Sequence, residues 1–239
     1  MNACVDFLFS ELQLDPVLHV DELARQTLSQ MLQSDLGDSM LRETGFPSGI
    51  RSMNNCVIGT RETGGPLLVQ VVSITEIGAS AFTLANVRQS RLDRADMTGL
   101  TKERDPDNEG DAKEAERDLD EEDVTMPSYP RSMISMMIDD GTTRIKAIEY
   151  KRLPKLVLGD TPLGCKVLIL FMIECHSRSL ELLLRGVRVR NGIAMLEPET
   201  VEVIGHQNDD MQENADIDFL KSLRRRMQSV TLMSVTCVI

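Results

Sequence analysis

The most concentrated chemical feature of this sequence is a run of carboxylates over residues 103–123, here called the acidic run. It contains twelve Asp or Glu against three Lys or Arg, and therefore holds nine of the chain's twelve net negative charges. Alternate carboxylates are typical of calcium loops, and they occur at Asp105, Asp107, Glu109 and Asp111. An EF-hand also needs a helix on each side, and the flanks do not clearly predict such a pair. A calcium-responsive acidic protein is therefore a minor alternative.

The other titratable residues offer little for catalysis or metal binding. The three histidines, His19, His176 and His206, have neither zinc spacing nor a neighbouring nucleophile, and Cys175 would point away from His176 in a strand. Five scattered cysteines form no CxxC pair, and the common nucleotide-binding and hydrolase motifs do not occur in the sequence. We expect no enzyme activity, no cofactor and no bound metal.

Basic side chains that could contact phosphate occur in a strand-like stretch and in a helix near the carboxyl end. They are Arg185, Arg188 and Arg190 in the first, and Lys221, Arg224, Arg225 and Arg226 in the second. A pI near 4.8 gives overall repulsion from a polyanion. No Trp, two Tyr and six Phe leave few rings for stacking on bases. Single-stranded DNA binding is therefore the alternative function. A solvated face that complements the helix dipole is the simpler explanation of the second cluster.

Strand-like stretches on both sides of the acidic run predict a β core. They lie at residues 67–74, 133–138, 144–150, 166–171, 181–190, 192–196 and 201–204. Asp139-Asp140-Gly141 carries a hairpin signal. About five or six short strands without a βαβ rhythm predict a small closed barrel, and an OB-fold is the economical choice. The acidic run cannot bury enough apolar surface to fold alone. We therefore predict that it is a long loop inserted in the barrel.

Helical periodicity is found before, within and after the β region. It covers residues 15–41, with Asp15-Pro16 as a cap, a short stretch at 79–87, and residues 216–228. In the last of these, Ile217, Leu220, Leu223 and Met227 have core spacing. We predict a mainly β fold with α: a small helical segment over 1–62, an OB-fold over 63–206 with the acidic loop at 91–127, and a helix and apolar tail over 207–239.

Several segments, in order, resemble the amino-terminal region of the RecQ-mediated genome instability protein 1 family. They are SDLGD at 34–38, GPLLVQV at 65–71, ITEIGASAF at 74–82, DGTTRIKAIEY at 140–150, TPLGCKV at 161–167 and LEPETVEVIG at 196–205. Together they extend over most of residues 20–206. The stretch at 171–180 looks inserted between two strands that the family connects closely, and His206 replaces a second glycine after Gly205. A related tudor-domain family that pairs with topoisomerase III beta shares this OB-fold and ranks second, because no tudor domain is present.

The resemblance implies a non-catalytic scaffold of a topoisomerase III and RecQ helicase complex, which promotes dissolution of recombination intermediates. The loop would reach into the topoisomerase gate, and DNA would be contacted mainly through the complex. Nuclear localisation follows from this role, and the amino terminus lacks the features of a secretory signal. The resemblance also implies that Lys166 supports partner binding. The candidate partner-binding residues are Lys166 and, in the loop, Asp105, Asp107, Glu109, Asp111, Leu119, Val124 and Met126.

Overall fold

The computed structural model describes residues 19–41, 44–60, 65–102, 126–170, 172–175 and 182–236. Side chains are described for these residues except 97–102, 172–175, 182–185 and 229–236. The chain divides into two compact units. The first, here called the barrel unit, comprises residues 1–77 and 133–219, and the second, the helical unit, comprises 78–132 and 220–239. A search of the described helices finds none long and apolar enough to cross a membrane.

The barrel unit is built on a mixed sheet of eight strands. Their order is β1-β8-β9-β4-β3-β2-β5-β10, and β6 and β7 form a separate two-stranded sheet. Only β4 and β9 pair in parallel within the described sheets. The strands are β1 Cys56–Ile58, β2 Leu67–Glu76, β3 Ile134–Asp139, β4 Arg144–Glu149, β5 Lys166–Ile169, β6 Met172–Cys175, β7 Leu182–Arg185, β8 Val187–Arg190, β9 Ile193–Leu196 and β10 Val201–Gly205.

Strand β2 forms the corner of the sheet. Its first half pairs with β5 and its second half with β3, and a register shift between Val71 and Ser73 allows the strand to bend. Gln70 stands at the bend and has Lys166 as its neighbour on one side and Asp139 on the other. This single position therefore brings three polar residues from three strands together.

The core lies on the inner face of the curved sheet, as alternation predicts. In β8, the side chains of Val187 and Val189 are buried, whereas Arg188 and Arg190 are exposed. Inward-facing aliphatic residues of this kind each stabilise the fold by about 1.5–3 kcal/mol. The predicted division of this stretch into one buried and one solvated face is confirmed.

The hairpins agree with the turn chemistry of the sequence. Asp139 and Arg144 are paired at the ends of β3 and β4, so Asp140 and Gly141 lie in the turn as predicted. Asn191 and Gly192 both have positive φ, at 50° and 71°, and connect β8 to β9 in the manner of a type I′ turn.

Some strand boundaries differ from the predictions. The predicted strand at 181–190 is two strands interrupted at Gly186, where an added Cβ would lie 2.4 Å from the Ile58 carbonyl oxygen. The close approach of β1 requires a glycine there. β1 has three residues and was too short to recognise. The stretch at 171–180, interpreted as an insertion, supplies β6, which pairs with β7.

Within the described residues, the helical segment before the barrel is more broken than predicted. It contains α1 Val20–Gln33, α2 Leu36–Ser39 and a 3-10 turn at Ile50–Ser52. The break between α1 and α2 arises because Asp35 caps the second helix, its Oδ1 accepting a 2.7 Å hydrogen bond from the Gly37 amide. The predicted cap at Asp15-Pro16 lies outside the described residues.

Both remaining helices are longer than predicted. Helix α3 spans Ala81–Lys102, so residues 91–102, which we placed in the acidic loop, are helical. Exposed pairs one turn apart support this extension, such as Gln89 Nε2 donating to Asp93 Oδ1 over 2.7 Å. Helix α4 spans Asp209–Thr236, and the Asn208 side chain caps it. Its Leu223 is fully buried as predicted, but Ile217 is 52% exposed, and its assignment to the core was wrong.

Candidate docking site

Lys166 is the first residue of β5 and is completely buried in the barrel unit. Its ammonium group donates to the Ser34 carbonyl at 2.8 Å, to Gln70 Oε1 at 3.1 Å and to the Gly164 carbonyl at 3.1 Å. These three acceptors match the three donors of an ammonium group. Burial lowers the pKa of Lys166 below its ordinary value, and the charge of Asp35 partly opposes this.

Gln70 connects this lysine to the segment before the barrel. Its Oε1 also accepts a 3.1 Å bond from the Leu36 amide, and its Nε2 donates to Asp35 Oδ1 over 2.9 Å. Gln70 has no exposed surface. Asp35, Gln70 and Lys166, here called the junction network, thus fasten the end of α1 and the start of α2 to strands β2 and β5.

Asp140 makes a second attachment on the neighbouring hairpin. Its Oδ1 accepts from the Thr142 amide at 2.8 Å and from the Thr143 amide at 2.6 Å, and its Oδ2 accepts from the Phe46 amide. Gly141 packs so closely that an added Cβ would lie 2.4 Å from the Leu36 carbonyl oxygen. The β3–β4 turn is therefore held against the helical segment from two directions.

The helical unit fixes the chain where it returns from the acidic run. Arg91, on α3, donates from Nη1 to the Pro127 carbonyl over 3.0 Å, and its guanidinium carbon lies 5.3 Å from the ring centroid of Tyr129. A cation–π contact of this kind adds about 0.5–1 kcal/mol at an exposed site. The carboxyl-terminal flank of the loop is thereby attached to the helix that precedes the loop.

The predicted loop residues are only partly within the described structure. Met126 is described and is 49% exposed. The others, Asp105, Asp107, Glu109, Asp111, Leu119 and Val124, lie outside the described residues. Their role as partner-binding residues stays a prediction.

The two predicted basic groups belong to different units. Arg188 and Arg190 are exposed on β8 of the barrel unit, and Arg224 and Arg225 are exposed on α4 in the helical unit. Arg226 is half-buried and its Nη2 donates to the Ala79 carbonyl at 2.8 Å. This bond occupies Arg226 within the helical unit, so of the three clustered arginines it is the least available to a phosphate.

The described side chains contain no cluster typical of a metal centre. A search of them for three or more His, Cys, Asp or Glu side chains placed to hold a metal finds no such group. Cys165, next to Lys166, is buried, and burial raises the pKa of its thiol. The described geometry instead provides a surface of the barrel unit on which buried hydrogen bonds join the helical segment to the strands.

The sequence of the OB-fold region matches a known family. The family described as "RMI1, N-terminal OB-fold domain" matches residues 46–182 and 180–219, which include the sheet, α3 and the start of α4. The chain belongs to this family. The prediction of an OB-fold preceded by helices is confirmed.

Two similar proteins carry the name RecQ-mediated genome instability protein 1. The protein from Mus musculus is 25% identical over 225 residues, which is 93% of this chain and 30% of that protein. The protein from Oryza sativa subsp. japonica is 25% identical over 198 residues, which is 81% of this chain and 16% of that protein. The chain therefore spans about a third or less of the length of these relatives.

Within this RMI1-type OB-fold, sequence reasoning missed most of the residues whose hydrogen bonds join the helical segment to the strands. Gln70 could have been noticed because it is the one polar residue in the apolar run Leu67–Val72. The sequence around Asp35 and Asp140 does not predict their hydrogen bonds to Gln70 and Phe46, because these partners are distant in sequence. Lys166 was singled out, but it is buried, so any support that it gives to partner binding must act through the position of the segments that it holds.

Proposed function

We propose that this chain is a non-catalytic scaffold of a topoisomerase III and RecQ helicase complex, acting in the nucleus to promote dissolution of recombination intermediates and genome stability. The observation that carries the proposal is the family match, which covers an OB-fold with a long insertion between strands β2 and β3. The names of the two relatives, which refer to RecQ and genome instability, support the same assignment. DNA would be contacted mainly through the complex.

The docking surface belongs to the barrel unit in this proposal. Its helical segment and strands are joined by buried hydrogen bonds to Lys166 and Asp140, so a partner meets one preformed surface. Preformed surfaces bind without an additional cost of ordering. Lys166 acts indirectly, by keeping Ser34 and Leu36 in place on the barrel.

The inserted loop is the regulatory element in this proposal. Arg91 holds residues Pro127 and Tyr129, so the loop leaves and returns at one helix. A loop attached in this way can favour one state of a topoisomerase gate if its contacts with the open and closed states differ in free energy. The acidic run would face the basic surfaces on which such a gate holds DNA.

The test is a pull-down of topoisomerase III followed by a decatenation assay. Three chains are compared: the unmodified chain, one with residues 103–125 replaced by a Gly/Ser linker of equal length, and one with the acids of that segment changed to Asn and Gln. We expect all three to bind, because the barrel is unchanged, and only the unmodified chain to alter decatenation fully. Failure of all three to bind would contradict the scaffold role. Equal decatenation by all three would contradict the role of the loop.

A further inference from the structure

The outer face of the barrel carries two adjacent rows of side chains that no part of the proposed function uses. The first row crosses strands β1, β8, β9 and β4, with the paired residues Val57, Arg188, Met195 and Ile148. In the second row, Arg190 is paired with Ile193 and Ile193 with Lys146. We call these seven residues the basic face.

The charges of the basic face are all of one sign. Arg188, Arg190 and Lys146 are exposed, and within the described part of the chain their side chains make no hydrogen bond or ion pair. Arg144, the next outward residue of β4, differs because its Nε lies 2.6 Å from Asp139 Oδ2. No outward residue of these four described strands is acidic. Three unpaired cations, two on β8 and one on β4, thus form a locally positive surface in a chain of net charge −12.

Aliphatic side chains lie beside these cations. Val57 is 38% exposed, and Ile148, Ile193 and Met195 are partly exposed. Neighbouring strands are about 4.8 Å apart. A bound ligand can therefore contact a cation and the aliphatic side chain on the next strand at the same time. Burying such groups against a partner would add a hydrophobic term to the electrostatic one.

We propose that the basic face binds an extended acidic segment of a partner protein, in which Asp or Glu alternate with aliphatic residues. Arg188 and Arg190 are two positions apart on one strand, which places their Cα atoms about 6.6–7 Å apart. Carboxylates two positions apart in an extended peptide have the same spacing, and guanidinium groups bind carboxylates through paired hydrogen bonds. None of the seven residues of the basic face is aromatic, so these residues offer no ring on which a base could stack, which favours a protein segment over single-stranded nucleic acid.

The proposal is tested by fluorescence anisotropy with the full chain and a labelled synthetic peptide. The probe is an acetylated peptide of about twelve residues that alternates Glu with Leu or Val, interrupted by Ser for solubility. One control peptide has every Glu changed to Gln, and a second has every aliphatic residue changed to Ser. A labelled oligothymidylate is measured in parallel, so that nucleic acid binding on the same face is recognised.

The binding residues are tested by charge reversal. R188E/R190E is compared with R152E/K155E, which makes the same charge change at exposed positions of the same unit outside the basic face. We expect R188E/R190E to raise the Kd for the Glu peptide about tenfold, because two attractions become repulsions, and R152E/K155E to change it less than about twofold. K146E changes one charge on a different strand and should weaken binding about threefold. It serves as the test variant if R188E/R190E does not fold.

We expect both control peptides to bind more weakly than the Glu peptide. Equal effects of R188E/R190E and R152E/K155E would overturn the proposal, as would tight binding of the Gln peptide. An oligothymidylate that binds more tightly than the Glu peptide and is lost in R188E/R190E would also overturn it, and would assign the face to nucleic acid. The assay contains no topoisomerase, so its result is independent of the scaffold role.

Discussion

At the residue scale, Lys166 shows how a charged side chain can belong to the core. All three of its hydrogen bonds end on groups of the barrel unit, two of them backbone carbonyls. Lys166→Met keeps the approximate volume and removes the donors, so the carbonyls of Ser34 and Gly164 lose these partners. We expect a loss of about 1–3 kcal/mol in the free energy of unfolding, measured by urea denaturation. Lys155→Met, at an exposed position, is the control. Unchanged stability together with lost topoisomerase binding would instead indicate a direct contact.

The pH dependence of stability gives a second test of Lys166. Its folded pKa is lowered from the ordinary 10.5, with burial as the main cause. Between the lowered value and 10.5, the unfolded chain therefore binds more protons at this site than the folded chain, and the contribution of Lys166 to stability rises with pH. The advantage of the unmodified chain over Lys166→Met should grow as the pH is raised towards 10.5. Paired urea titrations from neutral pH upward measure it, and a flat or falling difference would contradict the assignment.

At the element scale, the β3–β4 turn depends on a glycine. Gly141 has φ +91°, and an added Cβ would lie 2.4 Å from the Leu36 carbonyl oxygen, whereas Gly49 has φ +76° and its nearest atom would be Ser52 Oγ at 3.8 Å. Both Gly→Ala changes incur the left-handed backbone cost of about 1–2 kcal/mol, and Gly141→Ala adds overpacking of about 1–3 kcal/mol. We therefore expect Gly141→Ala to be the more destabilising in chemical denaturation. Equal losses would mean that the contact with Leu36 relaxes without cost.

Elements with a strong local pattern were predicted well from the sequence, and those fixed by distant partners were not. The long apolar run of β2 predicted a strand, and the Asp-Gly pair predicted the turn between β3 and β4. The three residues of β1 and the break at Gly186 depend on each other across more than a hundred residues, so neither has a local signal. The same explains the junction network, since Gln70 and Lys166 are 96 positions apart.

At the scale of the whole molecule, the charge is unevenly divided. Replacing residues 103–125 by an uncharged linker removes nine net negative charges and leaves a net charge of −3. The acidic run should repel polyanions from the exposed arginines of both units. We expect the linker variant to bind an oligothymidylate about tenfold more tightly than the unmodified chain at about 0.05 M salt, with the difference nearly lost at about 0.5 M. Anisotropy titrations at both salt concentrations measure this, and a difference that persists at high salt would exclude repulsion as its cause.

The discontinuous helical unit has a consequence for the order of events during synthesis. Its first part, residues 78–132, is made long before its second part, residues 220–239, and the Arg226–Ala79 hydrogen bond joins positions 147 apart. The barrel unit is interrupted in the same way, because its strands resume at β3 only after that first part. Helix α3 is therefore made before Arg226, the partner of the Ala79 carbonyl, has been translated. Chaperones can act on the incomplete helical unit during that interval.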